Sequence, residues 1–184
     1  VIIPDSVTSI ARSAFSGSGL TSVTIPDSVT KIGDGAFQGC SRLLGIRVAD
    51  GNQFYASDAY GVLFDASMQK LIQAPATLDG HYIIPGTVQI IGASAFGGCK
   101  SLDAVTIPAS VSEIGNNAFS DCVSLSFVRI PASVTDIGES AFSNCSGLKG
   151  ILFEGNVPAS DGVILEDVTT IAYYPNGNAT WTED

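Results

Sequence analysis

The sequence predicts an α/β solenoid, a stack of 22–23-residue coils, each with two short β-segments and one helical turn. The phrase L-x-x-V-x-I-P-x-S-V-x-x-I-G-x-x-A-F-x-x-C recurs, and its clearest copies begin at Leu102 and Leu125. Successive A-F pairs lie 22 residues apart early in the chain and 23 apart later, with phenylalanines at Phe15, Phe37, Phe96, Phe119 and Phe142. A fixed period of this size is typical of coils that stack only on their neighbours.

The composition fits one domain of 184 residues. Hydrophobic residues make up 45% of the chain and charged residues 14%, which is enough apolar material for a continuous core. The formal net charge is −10, so the surface repels phosphate backbones and nucleic acid is not an expected partner. No stretch approaches the roughly 18 apolar residues that span a bilayer, so membrane insertion is not expected either.

Within each coil, L-x-x-V-x-I-P predicts a short strand that ends at proline, because proline lacks the N–H that a ladder needs. In one copy, Leu125, Val128 and Ile130 should face the core. S-V-x-x-I-G predicts a second extended segment on the opposite side, closed by a glycine turn. The x-x-A-F-x-x-C segment predicts one helical turn, whose alanine and phenylalanine fill the space between the two sides.

The cysteines share one phase of the repeat, which predicts a column of inward side chains, one per coil. Neighbouring coils lie about 4.8 Å apart with parallel side chains, whereas a disulfide needs Cβ atoms about 3.8 Å apart that converge. We therefore expect buried free thiols. The chain has no C-x-x-C pair, which argues against zinc. These cysteines are Cys40, Cys99, Cys122 and Cys145.

We interpret the single domain, residues 1–184, as four consecutive parts. Residues 1–48 and 84–153 carry regular repeats. Residues 49–83 break the rhythm and are predicted to form a hairpin-like insert, with strands at Val62 to Phe64 and at Leu71 to Ile72. Residues 154–184 are predicted to form a C-terminal cap, because the end units of solenoids are atypical.

The two ends of the chain give further expectations. The cap should contain a last strand from Val168 to Tyr174, and Trp181 should lie across the open end of the stack. A ligand contact is the alternative role for this tryptophan. The chain starts inside a repeat at Val1, so we expect it to be a piece of something longer.

The units I-P-x-S-V-x-x-I-G-x-x-A-F-x-x-C-x-x-L resemble those of the BspA-like bacterial leucine-rich-repeat surface proteins. The segment N-Q-F-Y-A-S…G-V-L-F…L-I-Q-A-P is similar to the irregular insert of that family, and F-E-G-N-V-P…Y-Y-P-N-G-N-A-T-W to its ending. The resemblance covers almost the whole chain. It implies a right-handed leucine-rich-repeat solenoid, an extracellular or cell-surface location, and a role in adhesion or protein recognition. It brings no catalytic motif and no cofactor.

The residues themselves predict no catalytic, cofactor or metal site. His81, the single histidine, is placed in the polar turn L-D-G-H-Y, with no nucleophile near it in sequence. G-A-S-A-F, which ends at Phe96, resembles a hydrolase elbow, but the same position recurs in other repeats. A-D-G-N-Q around Asp50 and Asn52 resembles part of a calcium loop without its later acidic ligands, so turn chemistry accounts for it better.

Two outward columns should line the L-x-x-V-x-I strands. One contains Ser22, Gly45, Ala104, Phe127 and Gly150, and the other Thr24, Arg47, Thr106, Arg129 and Leu152. Most of these residues are small or polar. An aromatic and an arginine beside an apolar residue favour a binding hot spot, while ordinary surface variation is the alternative. The candidate protein-binding residues are therefore Arg47, Phe127, Arg129 and Leu152.

Together these features favour a non-enzymatic module that recognises or adheres to a protein, such as a host extracellular protein, or to a glycan. A structural spacer in a larger surface protein is a first alternative, and it predicts uniform outward columns. A glycan-binding module is a second alternative, which clustered exposed aromatic residues would support. Tyr55, Tyr60, Tyr173 and Tyr174 lie in the irregular parts and could equally belong to the core.

Overall fold

A computed structural model of the protein describes residues 1–160, 170–175 and 180. These residues form short strands and turns, and none of them lies in a helix. The strands are β1 (Ser9–Ile10), β2 (Val23–Ile25), β3 (Lys31–Ile32), β4 (Ile46–Val48), β5 (Tyr55–Ser57), β6 (Leu63–Asp65), β7 (Lys70–Gln73), β8 (Gly80–Ile83), β9 (Ile90–Ile91), β10 (Leu102–Thr106), β11 (Glu113–Ile114), β12 (Phe127–Ile130), β13 (Asp136–Ile137), β14 (Gly150–Phe153) and β15 (Ile171–Tyr173).

The L-x-x-V-x-I segments form one side of the stack, which we name the long-strand face. It is built from a β2–β4 pair and a parallel sheet in the order β15-β14-β12-β10-β8. The predicted alternation is confirmed, since Leu125, Val128 and Ile130 are buried while Phe127 and Arg129 point outward. Each regular coil from β2 onward thus adds one strand to this face and one apolar layer to the core.

The S-V-x-x-I-G segments form the opposite side, the short-strand face, as the sequence predicts. A β1–β3 pair begins it, and a six-stranded sheet in the order β13-β11-β9-β7-β6-β5 continues it. The glycine of this motif allows the coils to approach closely. A Cβ built on Gly115 would lie 2.7 Å from the backbone nitrogen of Ala93 in the preceding coil. The motif needs glycine here because of stacking rather than because of an unusual φ.

The x-x-A-F-x-x-C segments form turns, so the predicted helical turn is wrong for the described residues. Within one such segment, Asn117 and Asp121 both have positive φ, 56° and 59°, which a right-handed helix cannot contain. Alternate amides therefore bond across the stack: the Asn117 and Phe119 N–H groups donate to the Glu139 and Ala141 carbonyls at 3.0 and 2.8 Å. The third side of each coil is thus a hydrogen-bonded column of turns.

Phenylalanine rings fill the interior beside these turns. Phe119 stacks on Phe96 at 4.9 Å and on Phe142 at 5.1 Å between ring centroids, with the planes within 5° of parallel. The cysteines lie next to the rings as buried free thiols. Their Sγ atoms donate to the coil before, for example from Cys145 to the Phe119 carbonyl at 3.0 Å. The column of thiols therefore ties neighbouring coils together without covalent bonds.

The insert, residues 49–83, contains the four strands β5 to β8 where the sequence suggests two. Strand β6 pairs antiparallel with both β5 and β7, and β7 then pairs in parallel with β9. The Asp65 carboxylate closes the β6–β7 turn by accepting the Gln69 and Lys70 amides at 2.8 Å. Strand β6 is buried on both sides. Leu63 packs into a cluster with the first coils, and Phe64 into a second cluster with the later coils.

Candidate functional site

The predicted binding residues separate into two groups on the long-strand face. Arg47 lies on β4, in the sheet that precedes the insert, and its side chain is exposed. Phe127 and Arg129 lie on β12 and Leu152 on β14, in the sheet that follows the insert. Among the described strands, no strand pairing joins the two sheets. The chain therefore presents two separate candidate surfaces.

We name the first surface the aromatic patch: Phe127, Arg129, Gly150, Leu152, Ile171 and Tyr173. The register aligns Phe127 with Gly150 and Ile171, and Arg129 with Leu152 and Tyr173. Gly150 has no side chain, and a Cβ there would meet the rings of both Tyr173 and Phe127. The two ring centroids lie 6.3 Å apart at 45°, so the rings meet over the glycine.

The patch is largely solvent-exposed. Phe127, Ile171 and Tyr173 are 45%, 56% and 47% exposed. The guanidinium of Arg129 bonds to the Glu154 carboxylate at 2.6 Å, the one salt bridge within the described part of the chain. Both charged side chains are exposed, so the pair orients Arg129 more than it stabilises the fold. The result is an apolar centre with a charged rim, which is typical of protein interfaces.

We name the second surface the insert groove. It is a depression of about 740 Å³ between strands β2 and β4 and the loop of residues 58–61. Leu44 and Tyr60 lie in it and are 72% and 64% exposed. Arg47 also lines the groove, and its side chain has no hydrogen bond or ion pair among the described residues.

The Asp58 carboxylate fixes the wall of the insert groove. One oxygen accepts the Tyr60 and Val62 amides at 3.0 and 2.9 Å, and the other accepts the Tyr82 hydroxyl at 2.6 Å. Burial, and then the neighbouring carboxylate, raise the pKa of Tyr82, so the phenol remains a donor. Both oxygens of the Asp58 carboxylate therefore accept hydrogen bonds, although the loop of residues 58–61 is exposed.

Two glycines allow this loop to lie directly on the sheet. The Ile46 amide donates to the Gly61 carbonyl at 3.0 Å, and Gly61 adopts φ +73°. A Cβ on Gly61 would lie 2.5 Å from the Cα of Gly45. The Val48 amide donates to the Ser57 hydroxyl at 3.3 Å. The insert therefore covers the edge of β4, which is why the long-strand face is interrupted here.

His81 and Asn52 each make hydrogen bonds to neighbouring segments. His81 lies in strand β8 rather than in a turn, and its Nε2 is 2.8 Å from the exposed Thr106 hydroxyl. The buried Asn52 donates to the Pro26 and Val29 carbonyls at 2.7 and 3.0 Å, and its side-chain oxygen accepts the Phe54 and Tyr55 amides. It clamps the start of the insert onto the preceding coil.

The acidic side chains and the thiols form no metal-binding group in the described ranges. In residues 1–160, 170–175 and 180, no three His, Cys, Asp or Glu side chains lie close enough to hold a metal ion. Burial raises the pKa of Cys99 to about 12 and that of Cys145 to about 11, so both thiols are neutral and poor nucleophiles near pH 7. Across the same ranges, no helix has the length and apolarity to cross a membrane.

A second depression, of about 530 Å³, runs along the short-strand face. Its floor contains the stacking glycines, among them Gly115 and Gly138. Its sides present charges of both signs, including Lys70, Glu113 and Asp136. Strand register brings these charges into one column with Ile90, but no salt bridge joins them.

Sequence reasoning missed several residues on both surfaces. Ile171 and Tyr173 extend the outward columns, but all three residues of β15 are exposed, so no alternation of buried and exposed residues marks them. Of the two alternatives for the tyrosines, Tyr60, Tyr173 and Tyr174 follow the exposed one rather than the core one. Leu44 occupies a variable position of the repeat phrase and Asp58 lies outside the phrase, so no periodic signal marks either residue. The predicted contact of Trp181 lies outside the described residues.

Comparison with known proteins identifies the repeat. A family model described as "BspA type Leucine rich repeat region" matches six copies, over residues 1–61 and 80–173. The interval between these ranges contains the β6–β7 hairpin. No curated protein matches the chain.

Solved structures of bacterial proteins share the fold. A leucine-rich repeat protein from Eubacterium ventriosum is 33% identical with a TM-score of 0.82, over 86% of this chain and 43% of that one. A leucine rich cell surface protein from Faecalibacterium prausnitzii is 25% identical with a TM-score of 0.68, over 97% and 54%. The pneumococcal vaccine antigen PcpA, at 22% identity and a TM-score of 0.71 over 94% and 50%, shares the fold alone. The chain thus spans about half the length of these proteins.

Proposed function

We propose that this chain, which belongs to the BspA-type leucine-rich-repeat family, is a non-enzymatic protein-recognition or adhesion module of a bacterial surface protein. Similarity to a leucine rich cell surface protein supports the extracellular location. The proposal includes export of the chain and recognition of a protein partner.

The aromatic patch is the observation that carries this proposal. Phe127 and Tyr173 meet over Gly150, and Ile171 and Leu152 extend the apolar surface on neighbouring strands. Aromatic residues and arginine are enriched at the centres of interfaces, where a few residues provide most of the binding energy. A spacer needs only uniform polar columns on its outer face, and this face departs from that pattern.

The regular geometry of the stack also supports a recognition role. Side chains of the patch on β12 and β14 project from strands that pair in parallel on both sides, while β15 pairs with β14 at the edge of the described sheet. A ligand therefore meets a surface that loses little conformational freedom on binding, which favours affinity. The surface is broad and open, which suits another macromolecule better than a small substrate.

The test is direct binding of the purified chain to a panel of host matrix proteins and glycans by surface plasmon resonance. The variant Phe127→Ala/Tyr173→Ala should weaken a saturable interaction at least tenfold, because it removes the centre of the patch. The matched control is Lys31→Ala/Glu113→Ala, which alters two exposed residues on the short-strand face. It should bind like the wild type.

Three results would count against the proposal. Equal losses in both variants would show that the patch has no special role. Binding to glycans alone would favour a glycan-binding module, and absence of any binding by a chain with an unchanged circular dichroism spectrum would favour the spacer.

A further inference from the structure

We infer that the insert groove is a second recognition site, which takes an extended peptide segment of a partner protein carrying a carboxylate beside an apolar side chain. This inference rests on the proposed recognition function and assigns a partner chemistry to a surface separate from the aromatic patch. It depends on three features of the groove: its shape, its unpaired charge and its rigid wall.

The shape suits a chain segment. The groove lies between two strands and a loop that rises from the same face, and its volume of about 740 Å³ is that of several side chains. The side chains of Leu44 and Tyr60 line it and are far more exposed than is usual for such large apolar groups. A peptide side chain placed between them would remove apolar surface of both residues from water.

The charge of the groove selects the partner. The Arg47 guanidinium has no ion pair or hydrogen bond within the described part of the chain, whereas Arg129 is paired with Glu154. The other charge lining the groove is Asp58, and both of its oxygens already accept hydrogen bonds. An incoming carboxylate can therefore bond to Arg47 in the bidentate geometry that guanidinium favours.

The rigidity of the wall makes Tyr60 a fixed contact. Asp58 holds the Tyr60 and Val62 amides, Gly61 bonds to Ile46, and the Tyr60 ring packs edge-on against Tyr82 at 5.6 Å and 88°. Loop residues usually lose conformational entropy when a partner binds. Hydrogen bonds within the chain already restrict this loop before a partner binds, so the Tyr60 ring is positioned for contact.

The experiment selects binders from a random 12-residue peptide library displayed on phage, using the immobilised wild-type chain. Enriched peptides should share an Asp or Glu within two positions of an aliphatic or aromatic residue. A synthetic peptide of the most enriched sequence is then titrated against variants by isothermal titration calorimetry. Tyr60→Ala and Arg47→Ala should each weaken its binding at least tenfold, and Arg47→Lys should restore part of the loss.

A double-mutant cycle tests the charge assignment. Changing the acidic residue of the peptide to its amide should weaken binding to the wild type at least fivefold, but should have little effect with Arg47→Ala. Raised salt should weaken the wild-type interaction more than that of the variant. Circular dichroism and thermal unfolding check that each variant is folded. We expect all three variants to fold, because the changes are on the surface.

The outcomes separate this inference from the proposed function. Peptides that lose binding in Phe127→Ala/Arg129→Ala but not in Tyr60→Ala would overturn the groove and support the aromatic patch. Enriched peptides without an acidic residue, or an additive cycle, would overturn the assigned chemistry. Selection of no peptide above background, or glycan-array binding that depends on Tyr60 and not on Arg47, would also overturn the inference.

Discussion

At the scale of single residues, three positions of the repeat phrase are explained by contacts with the preceding coil. Glycine at Gly115 lets one coil approach the backbone of the coil before it. Serine at Ser110 donates its hydroxyl to the Val88 carbonyl at 2.7 Å, again one coil back. Cysteine at Cys145 donates its thiol to the Phe119 carbonyl in the same direction. Each position thus acts on the neighbouring coil rather than on its own.

The stacking role of glycine predicts a large effect of one methyl group. Gly115→Ala should destabilise the protein by about 2 kcal/mol or more, because the new Cβ would overlap the backbone of the preceding coil. Urea unfolding of the variant measures the loss. The matched control is Gly86→Ala, where a Cβ would meet no atom within 4 Å. If both variants lose the same amount, close stacking is not the reason for the glycine.

The buried thiols predict a dependence of stability on alkaline pH. Burial raises the folded-state pKa of Cys145 to about 11, while an unfolded thiol titrates near 8.5. Between these values the folded state binds more protons than the unfolded state, so the free energy of unfolding falls as pH rises. Below about pH 8 this contribution is constant.

The measurement compares urea unfolding of the wild type and of Cys145→Ala between pH 7 and pH 10.5. Each thiol contributes a slope of up to about 1.4 kcal/mol per pH unit, so the variant should lose stability less steeply. Parallel curves for the two proteins would mean that Cys145 titrates normally in the folded state.

At the scale of the elements, the repeat phrase correctly predicts two strands and a turn per coil, but not the kind of turn. Strand positions follow from the alternation of buried and exposed residues, which the sequence shows directly. A-F-x-x-C has the spacing of a helical turn, and for this reason the phrase predicts the wrong kind of turn. The small polar residues around it, such as Asn117 and Asp121, tolerate a positive φ and were the missed signal.

The insert was harder to predict, since it has no repeat. Its hairpin could be placed from two apolar runs, but strand β5 contains one large apolar residue, Tyr55, and so has no clear pattern. The insert groove could not be predicted at all. It depends on Asp58, whose partners Tyr60, Val62 and Tyr82 come from two coils and form no sequence motif.

The loop that carries Tyr60 should depend on one carboxylate. Asp58→Ala removes the acceptor of two amides and a phenol, and should cost about 2 kcal/mol or more of stability because these groups lose their partners. Hydrogen exchange of the Tyr60 and Val62 amides should accelerate at least tenfold. Asp79→Ala is the control, an exposed aspartate close to β8. Unchanged exchange in Asp58→Ala would show that backbone bonds alone hold the loop.

At the scale of the whole molecule, the core is divided. One apolar cluster joins the first coils to Leu63, and a second joins Phe64 to the later coils. Strand β6 separates the two clusters, because the adjacent side chains Leu63 and Phe64 of this strand pack into different clusters. Stacked repeats are stabilised mainly by their neighbours, so a disturbance in one cluster should reach the other weakly.

Phe119→Ala tests this division. It removes a ring that stacks on both Phe96 and Phe142, and should destabilise the later coils by about 3–5 kcal/mol. Native-state hydrogen exchange should then show loss of protection in β10 and β12, while β2 and β4 retain most of theirs. Equal loss in all four strands would instead show one cooperative unit.

The antiparallel strands of the insert have a consequence for how such a molecule can vary in length. The chain runs in one direction along β5, reverses along β6 and reverses again along β7, so it enters β9 with its original direction. One reversal would have sent every later coil backwards over the earlier ones. Where short turns join the strands, as they do here, extra antiparallel strands keep the direction of the later coils when they come in pairs. This parity limits the hairpin insertions that a stacked chain can accept.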